Sequence, residues 1–199
     1  MDICYTTISV KITLICGSTA TKSHTRCLLK HIESLLHEKS VETSFWDLRD
    51  KHMVFAVPEL HATPMETPDK NVKDFIKLIE SSDGIVIGSP LYHGSYSGVL
   101  KNALDNLYLD AFRNKAVALV SHGYGVRNAI KACEHLRSVI RTLYGYTLQT
   151  EIGTGIEDYQ EADTEFTLTN KDIKERCVRL VNELINLTKI LKASEPNKK

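Results

Sequence analysis

The chain has no surplus of charge of either sign: 25 basic and 25 acidic side chains cancel over 199 residues, and the sequence pI is about 7.1. Nucleic acid and acidic membrane surfaces both select a basic excess, so no nucleic-acid or membrane partner is expected. No apolar run approaches the ~18 residues of a membrane span. The first residues lack the basic stretch, apolar core and small-residue cleavage site of a secretory leader. Cysteine is sparse as well. Cys4, Cys16, Cys27, Cys133 and Cys177 are odd in number and far apart, with no C-x-x-C pair, which argues against a disulfide framework and a zinc site. A reducing cytoplasm is the expected location. Of the five prolines, Pro58, Pro64 and Pro68 fall within 52–68, marking a long surface connection.

What is present is an alternation of two periodicities. Short β-rich runs occur at Val10–Cys16, Val41–Trp46, Gly84–Gly88, Ala116–Val120 and around Thr147–Thr150. Helical stripes lie between them: Leu28 to Leu36, Asp74 to Ile79 (opened by Thr67 as N-cap with Pro68 at the first position), Val99 to Leu107, Ala129 to Leu143, and Ile173 to Leu191. Runs such as Gly84-Ile-Val-Ile-Gly88 are apolar throughout and so are covered on both faces. A βα alternation of this kind predicts an α/β three-layer sandwich. Its five-stranded parallel sheet would have the flavodoxin-like order 2-1-3-4-5, with helices on both faces. One domain is expected over 1–199, with 1–9 and 194–199 loose. The acidic run Glu157–Glu165 reads as a solvated loop, because it has no metal-ligand spacing.

In such a sheet, ligands bind beyond the carboxyl ends of the strands, where strand order reverses. The segments leaving strands 1, 3 and 4 are Gly17-Ser-Thr-Ala-Thr-Lys-Ser-His24, Ser89-Pro-Leu-Tyr-His-Gly-Ser95 and Ser121-His-Gly-Tyr-Gly125. These are the densest runs of Gly, Ser, Thr and Tyr in the chain, and one fold brings all three to one edge. The first enters a helix, whose N-terminal N–H groups, together with Ser18, Ser23 and Lys22, suit a phosphate monoester. It is not a Walker A loop, because Thr21 stands where a glycine should precede Lys22. It resembles the C-x₅-R loop of low-molecular-weight tyrosine phosphatases only in Cys16, since Lys22 lacks the arginine fork and the acid-bearing Asp-Pro pair is missing.

The second segment goes further. Pro90-Leu-Tyr-His-Gly-Ser-Tyr-Ser-Gly-Val-Leu-Lys-Asn-Ala-Leu-Asp105 resembles the signature of NADPH-dependent FMN reductases, and Gly17-Ser18 with Ser23 resembles that family's phosphate loop. Ser121, Gly123 and Gly125 resemble its third segment. The resemblance spans roughly 10–150. It implies FMN as cofactor and NADPH as co-substrate, with electrons passed to a small acceptor such as flavin, a quinone or an azo compound. Ser18, Lys22 and Ser23 would hold the FMN phosphate. Pro90, Leu91, Tyr92, His93, Gly94 and Ser95 would line the isoalloxazine, while Ser121, Gly123, Tyr124 and Gly125 would border its other edge. No metal and no catalytic side chain are implied, because the flavin carries the reaction; His93 is the one weak candidate. The chain departs from the family pattern at Ala20 (arginine there), Leu91 (glutamate), His93 (asparagine) and Val126 (glycine). The resemblance also implies a homodimer or homotetramer, with the helix carrying Lys101 and Asp105 at the interface. The competing reading is a flavodoxin-type electron carrier or redox sensor without nicotinamide turnover.

Overall fold

A computed structural model describes residues 8–194. Five parallel strands, β1 (Lys11–Cys16), β2 (Glu42–Asp47), β3 (Gly84–Pro90), β4 (Ala116–His122) and β5 (Tyr146–Thr154), form one sheet in the order β2-β1-β3-β4-β5. That is the flavodoxin-like order the periodicity predicts. Each strand after the first is reached through a helix, so every pairing is parallel. All seven residues of β3 are buried, as its unbroken apolar run requires.

Strand residues alternate between two cores. Ile12, Leu14, Val86, Ala118 and Val120 face α1 (His24–Glu38) and α5 (Lys171–Ser194). Ile15, Ile85, Ile87, Val117 and Leu119 face α2 (Lys70–Glu80), α3 (Gly98–Asp105) and α4 (Val126–Thr142). The helix stripes read from the sequence supply the facing residues, including Leu28, Leu29 and Ile32 on one side and Cys133, Leu136 and Ile140 on the other.

Three details differ from expectation. The cap of α2 is Asp69, whose Oδ1 accepts from the Val72 N–H at 3.0 Å; Thr67 instead accepts from the Asp69 N–H at 3.3 Å. A carboxylate is the better acceptor at the positive end of a helix, and this draws the start inward by two residues. The acidic run is also not a plain solvated loop. It folds into an antiparallel hairpin of β6 (Tyr159–Glu161) and β7 (Phe166–Leu168). The hairpin is pinned by buried Asp158, which accepts from the Gly155 N–H at 2.7 Å and from Asn170 Nδ2 at 2.6 Å. Its acids at 161, 163 and 165 stay exposed, so composition described the outer face alone. The loose ends expected at 1–9 and 194–199 lie mostly outside the described residues, as does Cys4. Where they are described they are tied down. Ile8 packs on the first core, and Lys192 donates to the Ser9 carbonyl at 2.9 Å.

Candidate functional site

Parallel pairing puts Cys16 beside both Asp47 and Gly88, and Ser89 beside Ser121, so the three Gly/Ser-rich loops leave the sheet along one edge. The first, Gly17–Ser23, is fixed from several directions. The Gly17 N–H donates to the Gly88 carbonyl at 2.8 Å, and Ser97 Oγ donates to the Gly17 carbonyl at 2.6 Å. Backbones meet so closely here that a Cβ on Gly17 would lie 3.0 Å from the Gly88 oxygen. Ser18 is buried, and its Oγ accepts from the Ala20 N–H at 3.4 Å. Ser23 caps α1 by accepting from the Arg26 N–H at 3.2 Å. As acceptors in these bonds, both hydroxyls keep a proton to donate.

Ser18, Lys22, Ser23, Pro90, Leu91, Tyr92, Gly123 and Tyr124 line one cleft of about 240 Å³, together with His24, His122 and Ile156. Eight of the thirteen residues singled out in the sequence thus meet in one place. Tyr92 and Tyr124 form its rim, Tyr124 being 90 % exposed.

The other five do not line it. His93 and Gly94 form a two-residue turn with φ of 47° and 83°, closed by reciprocal bonds between Tyr92 and Ser95 at 2.8 and 3.0 Å. Two positive φ values in succession define the turn that Asn-Gly favours, and histidine tolerates the left-handed region better than most residues. The departure at His93 is therefore turn chemistry. Ser95 Oγ lies 2.9 Å from His135 Nδ1 on α4. Ser121 is wholly buried, and its hydroxyl donates to the Ala129 carbonyl at 2.6 Å, so it anchors α4 and does not line the cleft. Gly125 is the N-cap residue of α4. Gly123 lines the cleft, but its N–H is spent on the Thr154 carbonyl at 3.0 Å, and a Cβ there would press on Ala129 Cα at 3.2 Å. Its glycine serves the close β4–α4 turn and offers no amide to a ligand.

Lys22 also differs from expectation. Its Nζ bonds Glu161 and the Ala162 carbonyl, each at 2.6 Å, and sits 5.0 Å from the Phe166 ring centre. The hairpin is thereby laced to the first loop. Behind it runs an aromatic stack that composition did not announce. His24 stacks on His122 (4.1 Å between centres) and on Phe166 (3.5 Å), with Tyr159 edge-on. Burial and the neighbouring His24 push His122 down to about 4, and burial lowers His24. Both rings are neutral at pH 7, which is what lets them stack. Burial and the nearby Asp47 push the Cys16 thiol up to about 12, away from the thiolate that a phosphatase nucleophile requires. A cavity of about 500 Å³ at the opposite edge of the sheet holds two ion pairs, Lys192 to Asp83 at 2.7 Å and Arg113 to Asp110 at 3.2 Å. Among the described residues no cluster of His, Cys, Asp or Glu could hold a metal, and no helix is long and apolar enough to cross a membrane.

The model of the NADPH-dependent FMN reductase family matches residues 10–156. The chain belongs to this family. It is an FMN-dependent oxidoreductase with NADPH as co-substrate, and the carrier reading gives way to an enzyme. The FMN-dependent NADPH-azoreductase of Staphylococcus aureus is 29% identical over 174 residues, covering 87% of this chain and 92% of that protein. Two solved structures share the fold. The flavoenzyme NAD(P)H:(acceptor) oxidoreductase FerB of Paracoccus denitrificans has a TM-score of 0.71 at 19% identity, covering 91% of this chain and 98% of its own. The apo NADH:FMN oxidoreductase EmoB has a TM-score of 0.69 at 20% identity, covering 94% and 92%.

The donor set fits FMN. The N–H groups of Thr19, Thr21 and Lys22 have no intramolecular acceptor among the described residues, and the Ser18 and Ser23 hydroxyls lie beside them. Unpaired donors at a helix N-terminus are what a phosphate dianion requires. Sequence reasoning missed Arg26, Asp47, Ser97, His24 and His122. The signal for Arg26 and Asp47 lies in strand register, which a linear motif does not display.

Proposed function

We propose that the cleft between the first, third and fourth strand loops holds FMN. Its phosphate would lie in the Ser18–Ser23 nest and its ring against Pro90, Leu91, Tyr92, Gly123 and Tyr124. The nest of unpaired donors at the carboxyl edge of the sheet carries this reading. Bound there, FMN supplies hydride acceptance from NADPH and onward reduction of a second substrate. The chain supplies position: the Tyr92–Ser95 turn sets one rim, the loop holding Tyr124 sets the other, and the His24–His122 stack walls the phosphate side.

The acceptor is a small planar molecule of the azo, quinone or flavin class. A second cleft of about 460 Å³, lined by Leu48, Met53, Phe55, Val99 and Asn102, meets the first at Tyr92 and offers it room. Val54, Phe55 (85 % exposed), Val57, Val99 and Tyr92 leave an apolar surface beside both clefts, which supports a homodimer or a tetramer built from it. The salt bridge of Lys101 to Asp105 lies on the same helix. The chain would act as one flavodoxin-like domain in the cytoplasm. The deciding experiment is the flavin spectrum of the purified protein before and after NADPH, followed by acceptor-dependent reoxidation. Bleaching by NADPH with turnover on an azo dye or quinone is expected. Bound flavin that NADPH leaves oxidised would overturn the reading in favour of a carrier. Light scattering that shows a monomer at micromolar concentration would remove the dimer.

A further inference from the structure

Arg26 points away from the cleft, yet it touches more of the phosphate loop than any other side chain does. Its guanidinium donates to the Ser18 carbonyl at 3.2 Å, to Ala20 at 2.9 Å and to Thr21 at 3.4 Å. Asp47 receives the rest of the fork, Nε on one oxygen and Nη2 on the other at 3.1 Å. Asp47 stands at the end of β2, level with Cys16 where the loop departs, and its Oδ1 also caps the Arg49 N–H at 3.0 Å. Arg49 adds a bond to the Thr21 carbonyl at 3.3 Å.

A trans peptide is planar, with its C=O and N–H antiparallel. Each carbonyl drawn outward to Arg26 therefore turns the next residue's N–H the other way. Those amides belong to Thr19, Thr21 and Lys22, which, like those of Ser18 and Ser23, find no acceptor among the described residues. Arg26 lines a separate cleft on the outer side of the loop, which Thr21, Lys22 and Ser23 also reach, whereas Ser18, Ala20, Lys22 and Ser23 line the inner one. We propose that Arg26 is the positioning residue of the phosphate nest: squared by Asp47, it holds three loop carbonyls outward and so aims three amides inward. The loop lacks an arginine of its own at Ala20, and this brace from α1 arranges backbone donors in its place. The inference rests on the reading that FMN phosphate occupies this loop.

The test compares FMN with riboflavin, which is FMN without phosphate, by quenching of flavin fluorescence on the intact chain. General weakening of the fold would lower both affinities together, whereas misaimed amides lower only that for FMN. The unaltered protein is expected to prefer FMN by at least about tenfold. Equal binding of the two flavins would overturn the loop reading, and the proposal with it. Arg26→Lys keeps the charge and loses the fork, so the preference for FMN should drop by about tenfold with riboflavin binding unchanged. Asp47→Asn leaves every donor on Arg26 and loosens its aim, so it should move the ratio the same way by a smaller factor. The double variant should be no worse than Arg26→Lys, since the pair acts as one unit. A preference retained in Arg26→Lys, or a proportional loss of both flavins, would leave Arg26 a structural residue and overturn the proposal. Should Arg26→Lys not fold, an unchanged ratio in Asp47→Asn would overturn it equally.

Discussion

The two ends of the cleft are built in opposite ways. At the phosphate end, Gly17 is pressed against Gly88 and Leu100, Ser97 ties the loop to α3, Arg26 binds it from outside and Lys22 ties it to the hairpin. At the ring end, Tyr92 and Tyr124 stand in solvent, and Gly125 has open space around it. A small dianion is bound well only by donors already in place, because each must otherwise be ordered at the moment of binding. A site that must admit nicotinamide and then an acceptor cannot be closed in that way. In the proposed binding mode, rigidity thus belongs where the cofactor stays, and openness where substrates exchange.

The sharpest way to break this contrast is to add a side chain at each end. Gly17→Val would force a branched Cβ against a carbonyl oxygen and Leu100, lowering stability by about 2–3 kcal/mol and expelling flavin. Gly125→Ala meets nothing within 4 Å and should cost under about 0.5 kcal/mol, with flavin retained. Urea denaturation and the bound-flavin spectrum read both. A tolerant position 17 would mean the phosphate end is not rigid.

The histidine stack sharpens the comparison through pH. The folded pKa of His122 is depressed, so the unfolded chain takes up its proton first as pH falls. Its contribution is whole above the ordinary value near 6.5 and is lost as pH falls towards about 4. His24 acts in the same direction. Lys22 faces the stack across Phe166 and opposes a charge on it, while Glu161 favours one. The loss should be about 2 kcal/mol after screening at the open edge is allowed for. His122→Gln should flatten that slope. An unchanged slope would place the acid sensitivity elsewhere.

Much of this was legible in the sequence. The β-rich runs and helix stripes specify the sheet because its central strands β1, β3 and β4 are apolar enough to be covered twice. The Gly/Ser loops are legible because only those residues allow backbones to meet as Gly17 and Gly88 do. The hairpin was not legible, since three-residue strands carry too little periodicity and its inward residues, Tyr159 and Phe166, are outnumbered by acids. The engagement of Lys22 was hidden with it, its partner Glu161 lying 139 positions away. The consequence is testable. Lys22→Ala should weaken FMN by about 1 kcal/mol or less, because the charge is already shared with Glu161. Glu161→Gln should instead tighten FMN about two- to threefold by freeing the ammonium. If both variants weaken FMN equally, Lys22 is a latch for the hairpin and contributes nothing to the phosphate.

The smallest effect is expected at His93, although its chemistry is the most inviting. Histidine is a common general acid, and one beside a flavin site invites a role in protonating a reduced azo nitrogen or quinone. Its backbone gives another reason for its presence. A φ of 47° followed by 83° at Gly94 makes the tight turn that holds Tyr92 at the rim, and asparagine meets that demand at least as well. Hydride transfer between stacked rings needs no proton from the protein. His93→Asn should therefore change stability by under about 0.5 kcal/mol and leave the rate of flavin reduction within about tenfold. His93→Val, which strains the left-handed conformation, should cost about 1–2 kcal/mol. Stopped-flow reduction by NADPH, then reoxidation by an azo dye, separates the two roles. A hundredfold loss in His93→Asn with FMN still bound would make His93 a proton donor and the ring end more than an open platform.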